Sequence, residues 1–440
     1  MAKRKRVSFR SMASALAMAT VIGGSGVVAL DSTAGATSGS VSYGVLSCFT
    51  GPLASLGEGI LQGAQIAQAE VNAAGGVLGK HLNIPTGDTG CDPVEGKTAL
   101  LHLLSGGNIK GIIGPTTQEI NAVEPVLKAD HIVDEFQGGD TGRDHQRDPY
   151  LFRDSPSDSQ LGVAMATYAY SKGYKTADLL FYSDAAAQTI VAPVTTTYKK
   201  LGGTVIHTYI IQADQSSYTN TVAQVIADKP QVIFTQTDAQ TVAVLSTEFN
   251  QLGSKIPWIG TDVTTSSDYI KAFGTARAHS TLTSVMGTSV TGTANNIFMA
   301  GFKKMFPSQV AAGPLSGANY AYDAVITLAL ADSYAKTFNG TVVAKDMLKV
   351  TNPPGTKCYS YKPCLALIKK GKKINYEGAS GSIDYNQFHN TFGPYAPFVA
   401  NASTGNEVQG KALSAKVLGD VTNCTTTKVC VAKLKADGIK

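Results

Sequence analysis

Gly51-Pro52-Leu53-Ala54-Ser55-Leu56-Gly57 joins a strand-forming run at residues 41–46 to a segment whose apolar residues Ile60, Ala64, Ala67 and Val71 recur every three or four positions. That recurrence marks one face of a helix. The segment runs out at Asn72-Ala73-Ala74-Gly75-Gly76-Val77-Leu78-Gly79-Lys80, a glycine turn, and a short strand is expected at 82–85. Strand, loop, helix, turn, strand is a βαβ unit, which commits the chain to a parallel sheet. Ligands of such sheets sit in the loops at the strand C-terminal ends, against helix N-termini.

The alternation continues. Asp92-Pro93 opens a helix, with Asp as N-cap and Pro in the first turn, and Val94, Leu101 and Leu104 among its apolar positions. Gly111-Ile112-Ile113 reads as a third strand. Gly114-Pro115-Thr116-Thr117 leads into a helix bearing Ile120, Val123 and Leu127, and Ile132-Val133 is a fourth strand. After Pro156 the spacing predicts helices at 159–171, 188–201, 218–227 and 239–252, separated by strands at 177–182, 204–210, 232–235 and 256–260. Helices at 295–306 and 316–338 follow, then a glycine- and aromatic-rich stretch of strands and turns at 378–398. The fold class is α/β.

Processing and redox signals frame this core. Lys3, Arg4, Lys5, Arg6 and Arg10 precede an apolar run at 12–30, and Ala34-Gly35-Ala36 has the small-x-small form of a cleavage site. Residues 1–36 read as a signal peptide cut near Ala36, giving a secreted or extracytoplasmic protein in the periplasm or at the cell surface. The competing reading is an N-terminal membrane anchor. No cysteine stands at the exit to take a lipid. The segment holds five cations and one anion, so its removal lowers the net charge from +5 to +1. No basic run remains in the mature part, and no nucleic-acid partner is expected. Export favours disulfides among the six cysteines. Cys358–Cys364 and Cys424–Cys430 are the simplest local pairs. Cys48 and Cys91 follow the first two strands, which lie side by side in a doubly wound sheet, so a bridge there is reasonable. A zinc site would need C-x2-C or nearby histidines, and none is present; no metal is expected.

The first two segments resemble the branched-chain amino-acid (Leu/Ile/Val-binding, type I) family of periplasmic solute-binding proteins of ABC importers. That family has a GP…G first loop and a helix ending in N-x-x-GG-h-x-G-K/R. Weaker similarity extends from about Val41 to about Phe398. Ala318-Asn319-Tyr320-Ala321-Tyr322-Asp323-Ala324 is similar to the family's Y-D-A helix, and Gly381-Ser382-Ile383-Asp384-Tyr385 to its G-x-h-x-F/W-D strand. The resemblance implies two Rossmann-like lobes of the periplasmic-binding-protein type I fold joined by a three-segment hinge. The crossings are placed near 154–159, 285–290 and 378–382. Lobe 1 is then 41–156 plus 287–378, and lobe 2 is 157–286 plus 379–440. It further implies a monomer without enzymatic activity or cofactor, which captures a small polar ligand in the cleft and delivers it to an ABC importer permease. A ligand-sensing module of the same fold is the alternative.

Catalytic signatures are sparse. The seven histidines are scattered, without H-E-x-x-H, and there is no G-x-S-x-G. A secreted hydrolase is the more distant reading. Gly90-Cys91-Asp92-Pro93-Val94-Glu95-Gly96-Lys97-Thr98 looks like a phosphate loop but has one residue too many between its glycines, and two acids and a proline where free N–H groups are needed. Binding residues are better marked. Thr116, Thr117 and Gln118 stand where a strand gives way to a helix, and hydroxyls with helix N–H groups suit a carboxylate; plain capping of the helix is the competing role. Gln137, Gly138 and Gly139 follow the fourth strand, and the glycines permit close backbone approach. The resembled family uses both loops to hold a ligand carboxylate. Asp262 lies past a strand end, where the family places an acid for the ligand ammonium; the alternative is a cap for the helix near Asp268. Leu56, Ala187 and Asp238 stand where the family's amino-acid binders carry aromatics. A second carboxylate at Asp238 suits a hydroxyl-rich, amide or cationic ligand.

Overall fold

The computed structural model describes residues 39–51, 53–287 and 292–439. The signal segment 1–36, Pro52 of the first loop and residues 288–290 of the second expected crossing lie outside these residues. Among the described residues no helix is long and apolar enough to cross a membrane.

The first sheet is parallel throughout. β1 (Ser40–Ser47) runs through its middle, flanked on one side by β2 (His81–Asn83) and β3 (Thr86–Asp88), and on the other by β4 (Ile109–Ile113), β5 (Val133–Glu135) and β6 (Leu151–Phe152). The single strand expected at 82–85 is thus two short ones. Ile84 and Pro85 part them, and Pro85, with no N–H, contributes only its carbonyl, which accepts from Val45 N–H at 2.8 Å. Helices α1 (Ala54–Ala73), α2 (Pro93–Ser105) and α3 (Ile120–Ala129) fill the crossovers. α1 buries Ile60, Ala64, Ala67 and Val71, as the spacing requires. Asp92 caps α2, accepting from Val94 and Glu95 N–H, but the buried face differs from the one expected. Val94 and Leu101 are 74% and 49% exposed, and Gly96, Leu100 and Leu103 face inward. Gly96 sets this phase: a side chain there would run into Glu119.

The second sheet has the order β15-β14-β11-β10-β9-β7-β8. It begins with α4 (Asp158–Ser171), β7 (Thr176–Tyr182), α5 (Ala185–Lys200), β8 (Thr204–Ile211), α6 (Thr219–Asp228), β9 (Val232–Gln236), α7 (Ala239–Gln251) and β10 (Trp258–Gly260). Short helices α8 (Ser267–Phe273) and α9 (Thr275–Thr281) lead to β11 (Leu282–Gly287). The chain then returns to the first sheet with α10 (Thr293–Met305) and α11 (Ala318–Ala335), whose side chains join the first core. Residues 340–376 add α12 (Gly340–Thr351), β12 (Thr356–Cys358), α13 (Tyr361–Lys369) and β13 (Ile374–Tyr376) against α11. β14 (Tyr395–Ala400) and β15 (Glu407–Gln409) close the second sheet antiparallel. α14 (Ala415–Asn423) and α15 (Thr427–Ala436) then pack Leu418, Val421 and Leu434 into its core.

Three disulfides match the expected pairing, with Cα separations of 5.0 Å for Cys48–Cys91, 5.4 Å for Cys358–Cys364 and 5.2 Å for Cys424–Cys430. Gly381–Tyr385, by contrast, is not a strand; one bridge joins Glu377 to Ser382. Just before it, the carboxylate of Asp323 accepts from Ala379 N–H, Ser380 N–H and the Ser380 and Tyr376 hydroxyls at 2.6–2.8 Å, and within it Gly381 N–H donates to Gly378 O and Tyr385 N–H to Asn352 Oδ1, not to a neighbouring strand. Ala379, Ile383 and Tyr385 all pack in the first core, and the chain enters the second at Tyr395. The third crossing therefore runs later than 378–382. There it lies beside the first: Arg153 N–H donates to His389 O at 2.9 Å and Thr391 N–H to Arg153 O at 3.0 Å.

Candidate functional site

The loop after β4 turns inward. Thr116 is buried, and both its N–H and its hydroxyl donate to Glu119 Oε2, at 3.0 and 2.7 Å. Glu119, the residue preceding α3, is fully buried and also accepts from the Thr89 hydroxyl at 2.6 Å. Gln118 Oε1 lies 3.2 Å from the Thr116 hydroxyl. No side-chain bond caps α3, so the threonines do not play the plain capping role. Thr116 braces its own loop, and Thr117 faces Gly138, where a side chain would press on the Thr117 amide nitrogen and hydroxyl.

The loop after β5 carries the other glycines. Gln137 N–H donates to Pro115 O at 3.0 Å, tying the two loops together, and its Nε2 donates to Asp154 Oδ1 at 3.0 Å. Gly139 O accepts from Asp158 N–H at 2.8 Å, and the Asp158 carboxylate occupies the space a side chain on residue 139 would need. Asp158 is the first residue of α4, so this contact joins the loops of the first sheet to the second.

Asp158 and Asp262 form the electrostatic centre. Burial pushes the Asp158 carboxyl up to about 7; a bond from the Thr189 hydroxyl opposes the rise, and the charge of Asp262 adds to it. Asp262 is itself raised by burial, against the pull of the Val263 N–H. It opens a short 3-10 turn, Asp262–Thr265, while Ser266 caps α8, so Asp262 is not that helix's cap. Tyr320, from α11, completes the group: burial first, then the charges of Asp262 and Asp154, keeps its phenol protonated. Its hydroxyl rests against Gly287. Tyr395 is close enough to Asp158 and Asp262 to be raised by both, after burial. The guanidinium of nearby Arg153 is already committed to Asn390, Asp140 O and Asp144.

The remaining expected residues make contacts of their own. Asp238 caps α7, accepting from Thr241 N–H at 2.6 Å, and it raises the Tyr182 phenol, second to burial. Ala187 is fully buried in the second core, so its methyl does not line a cleft; Asp184, the cap of α5, lies one turn earlier. Leu56 is half-buried against Gly317, at the start of α11. Asp158, Thr189, Tyr320 and Tyr395 carried no expectation from the sequence. Ser157-Asp158 reads as an ordinary helix start, and its one signal is an acid directly after a lobe crossing. Two hollows of about 430 and 510 Å³ lie elsewhere, one beside Tyr359 and Leu367, the other beside Asn72 and Phe306, and neither is lined by the expected site residues.

Chemically, the centre holds two carboxylates, two phenols and a threonine hydroxyl, next to a glycine backbone and Thr117. Such a set accepts hydrogen bonds and balances positive charge.

The sequence profile described as periplasmic binding protein matches residues 40–357. The Leu/Ile/Val-binding protein BraC3 of Rhizobium johnstonii is 31% identical over 80 residues, which are 18% of this chain and 22% of that protein. The chain thus aligns with about a fifth of that relative's length. Among solved structures, the leucine-binding protein LivK of Thermotoga maritima superposes with a TM-score of 0.72 at 18% identity, covering 85% of this chain and 99% of that one. A solute-binding protein of an ABC transporter from R. palustris, in complex with benzoate, gives 0.69 at 16% identity over 85% and 98%. At these identities the likeness speaks to the two-lobed α/β fold.

Proposed function

The chain belongs to the periplasmic binding protein family, and on that premise we propose that it is an extracytoplasmic solute-binding protein that delivers a small polar ligand to an ABC importer permease. The ligand sits between the lobes and carries a cationic group, as an amino acid does. Its ammonium meets Asp262 and Asp158; its carboxylate meets Thr117 and the Gly138–Gly139 backbone. The lobes are residues 41–156 plus 287–385 and 157–286 plus 395–440, with the third crossing between Tyr385 and Tyr395. The chain works as a monomer, without catalysis or cofactor, after removal of residues 1–36.

One observation carries this reading: Gly139 from the first sheet abuts buried Asp158 from the second, and half-buried Asp262 is near enough to Asp158 and to Tyr320 of α11 for its charge to act on both. Closure of the lobes gives a ligand contacts from both sides, which shifts an open–closed equilibrium. The pair of acids also selects. It favours an ammonium and opposes a ligand whose only charge is a carboxylate, such as a benzoate.

Calorimetry with amino acids, amides, polyols and aromatic acids tests it. An amino acid is expected to bind, and Asp262→Asn to weaken it at least about tenfold, the share of one charge-assisted hydrogen bond. Tight binding of benzoate with none of any amino acid would overturn the ligand class.

A further inference from the structure

The second lobe carries a cluster that the ligand site does not use. Asp178 on β7, His207 on β8 and Asp228 at the end of α6 each offer one donor atom, and the three atoms lie within 4.8 Å of one another. β8 is the edge strand, and Asp178 lies in the first half of β7, away from the ligand loops at its other end. We propose that Asp178, His207 and Asp228 bind one divalent transition-metal ion of the zinc class, which pins the edge strand and α6 to β7. This site stands independently of the ligand-binding reading.

The local backbone is built to bring these residues together. Ala177 pairs with Val205, yet Leu179 pairs with Thr208, so two residues of β8 oppose Asp178. Such a bulge re-aims side chains, and here it sets His207 beside Asp178. His207 N–H donates to Asp178 Oδ1 at 3.1 Å, while Asp178 Oδ2 is buried, meets no donor group among the described residues, and has the Asp228 carboxylate as its side-chain neighbour. Asp178 shares its strand face with Leu180, which packs with Val222, Val225 and Ile233. A carboxylate oxygen in that setting calls for a cation or a proton. His207 Nδ1 sits 2.6 Å from Asp228 Oδ2, and the Tyr209 hydroxyl donates to the same oxygen at 2.8 Å, orienting it.

The donor set chooses the ion. One imidazole nitrogen and two carboxylate oxygens suit zinc and its neighbours, at about 2.0–2.2 Å from each donor. Calcium and magnesium take all-oxygen shells of six or more ligands, which three residues including an imidazole do not provide. Two ionised carboxylates balance a dication. The His207 side chain is 59% exposed, so water reaches the remaining coordination positions.

The test uses the mature chain without a polyhistidine tag, stripped with a chelator and titrated with zinc chloride. Calorimetry and elemental analysis are expected to give one zinc per chain, with a raised thermal midpoint, and cobalt substituted at the site to give a visible absorption band. His207→Ala and Asp178→Asn are expected to lose at least about tenfold in zinc affinity together with the cobalt band. His102→Ala, on the exposed face of α2, is expected to keep both. His207 is a surface residue, so its variant carries the test even if the buried substitution misfolds. Absence of stoichiometric zinc, zinc affinity unchanged in His207→Ala, or an equal response to calcium would each overturn the assignment.

Discussion

The carboxylate of Asp158 occupies the position that the first side-chain atom of residue 139 would take, so only glycine fits there. Gly139→Ala forces either the loop or α4 to move. Overpacking of this kind costs about 1–3 kcal/mol, and it displaces Asp158 from its place beside the loop after β5. Urea denaturation is expected to show the lost stability and calorimetry a weaker ligand. A variant equal to wild type in both would mean that the contact is slack.

The ammonium contact proposed for Asp158 predicts a pH-sensitive affinity. In the empty protein its carboxyl titrates near 7, raised by burial and by Asp262. An ammonium ligand needs the ionised form. Affinity is therefore full above about pH 7 and declines as pH falls through that value, provided the ligand keeps its own charge. Calorimetry at pH 5.5, 7 and 8.5 reads the slope: a loss of about twofold from pH 8.5 to 7 and of about tenfold from pH 7 to 5.5. Asp158→Asn is expected to flatten it.

Folding stability should move the other way. Burial raises Asp332 to about 8, with the Tyr43 hydroxyl opposing, and raises Glu135 to about 8 as well. In the unfolded chain both titrate near 4. Between those values the folded protein holds protons that the unfolded chain has released, so stability falls as pH rises from about 4 to 8. Thermal midpoints are expected to be higher at pH 5 than at pH 8, and Asp332→Asn to narrow the gap. An unchanged gap would show that Asp332 is not protonated in the folded state.

The three disulfides differ in what they constrain. Cys48–Cys91 spans 43 residues, and each of the other two spans 6. On loop entropy alone, the first contributes about 4 kcal/mol and each clip about 2. Cys91→Ser is accordingly expected to lose more stability in urea than Cys364→Ser. The reverse order would point to contacts made by β12 and α13 as the larger contribution.

Long-range periodicity made most of the fold legible. Ile60, Ala64, Ala67 and Val71 predicted both a helix and its buried face, and both are present. The sequence misled where a single atom decides. A missing N–H at Pro85 split one strand, a close approach at Gly96 turned α2, and the N–H groups of Gly381 and Tyr385 went to Gly378 O and Asn352 Oδ1, outside any strand ladder. The proposed site was half legible for the same reason. Strand-end loops are visible in sequence, so Asp262 and the glycine pair could be named. Asp158, Tyr320 and Tyr395 reach the centre from a helix start, a helix interior and an edge strand, and only tertiary packing brings them there.

The pairing of Arg153 with residues 389–391 limits how this molecule can move. Backbone bonds on both sides of Arg153, and its guanidinium on Asn390, fuse two of the interlobe passages into a single two-stranded ribbon. A ribbon bends readily across its flat face and resists sliding or splaying. On the proposed function, the two lobes then swing with these passages moving as one, which gives a docking permease an empty shape and a filled shape to tell apart.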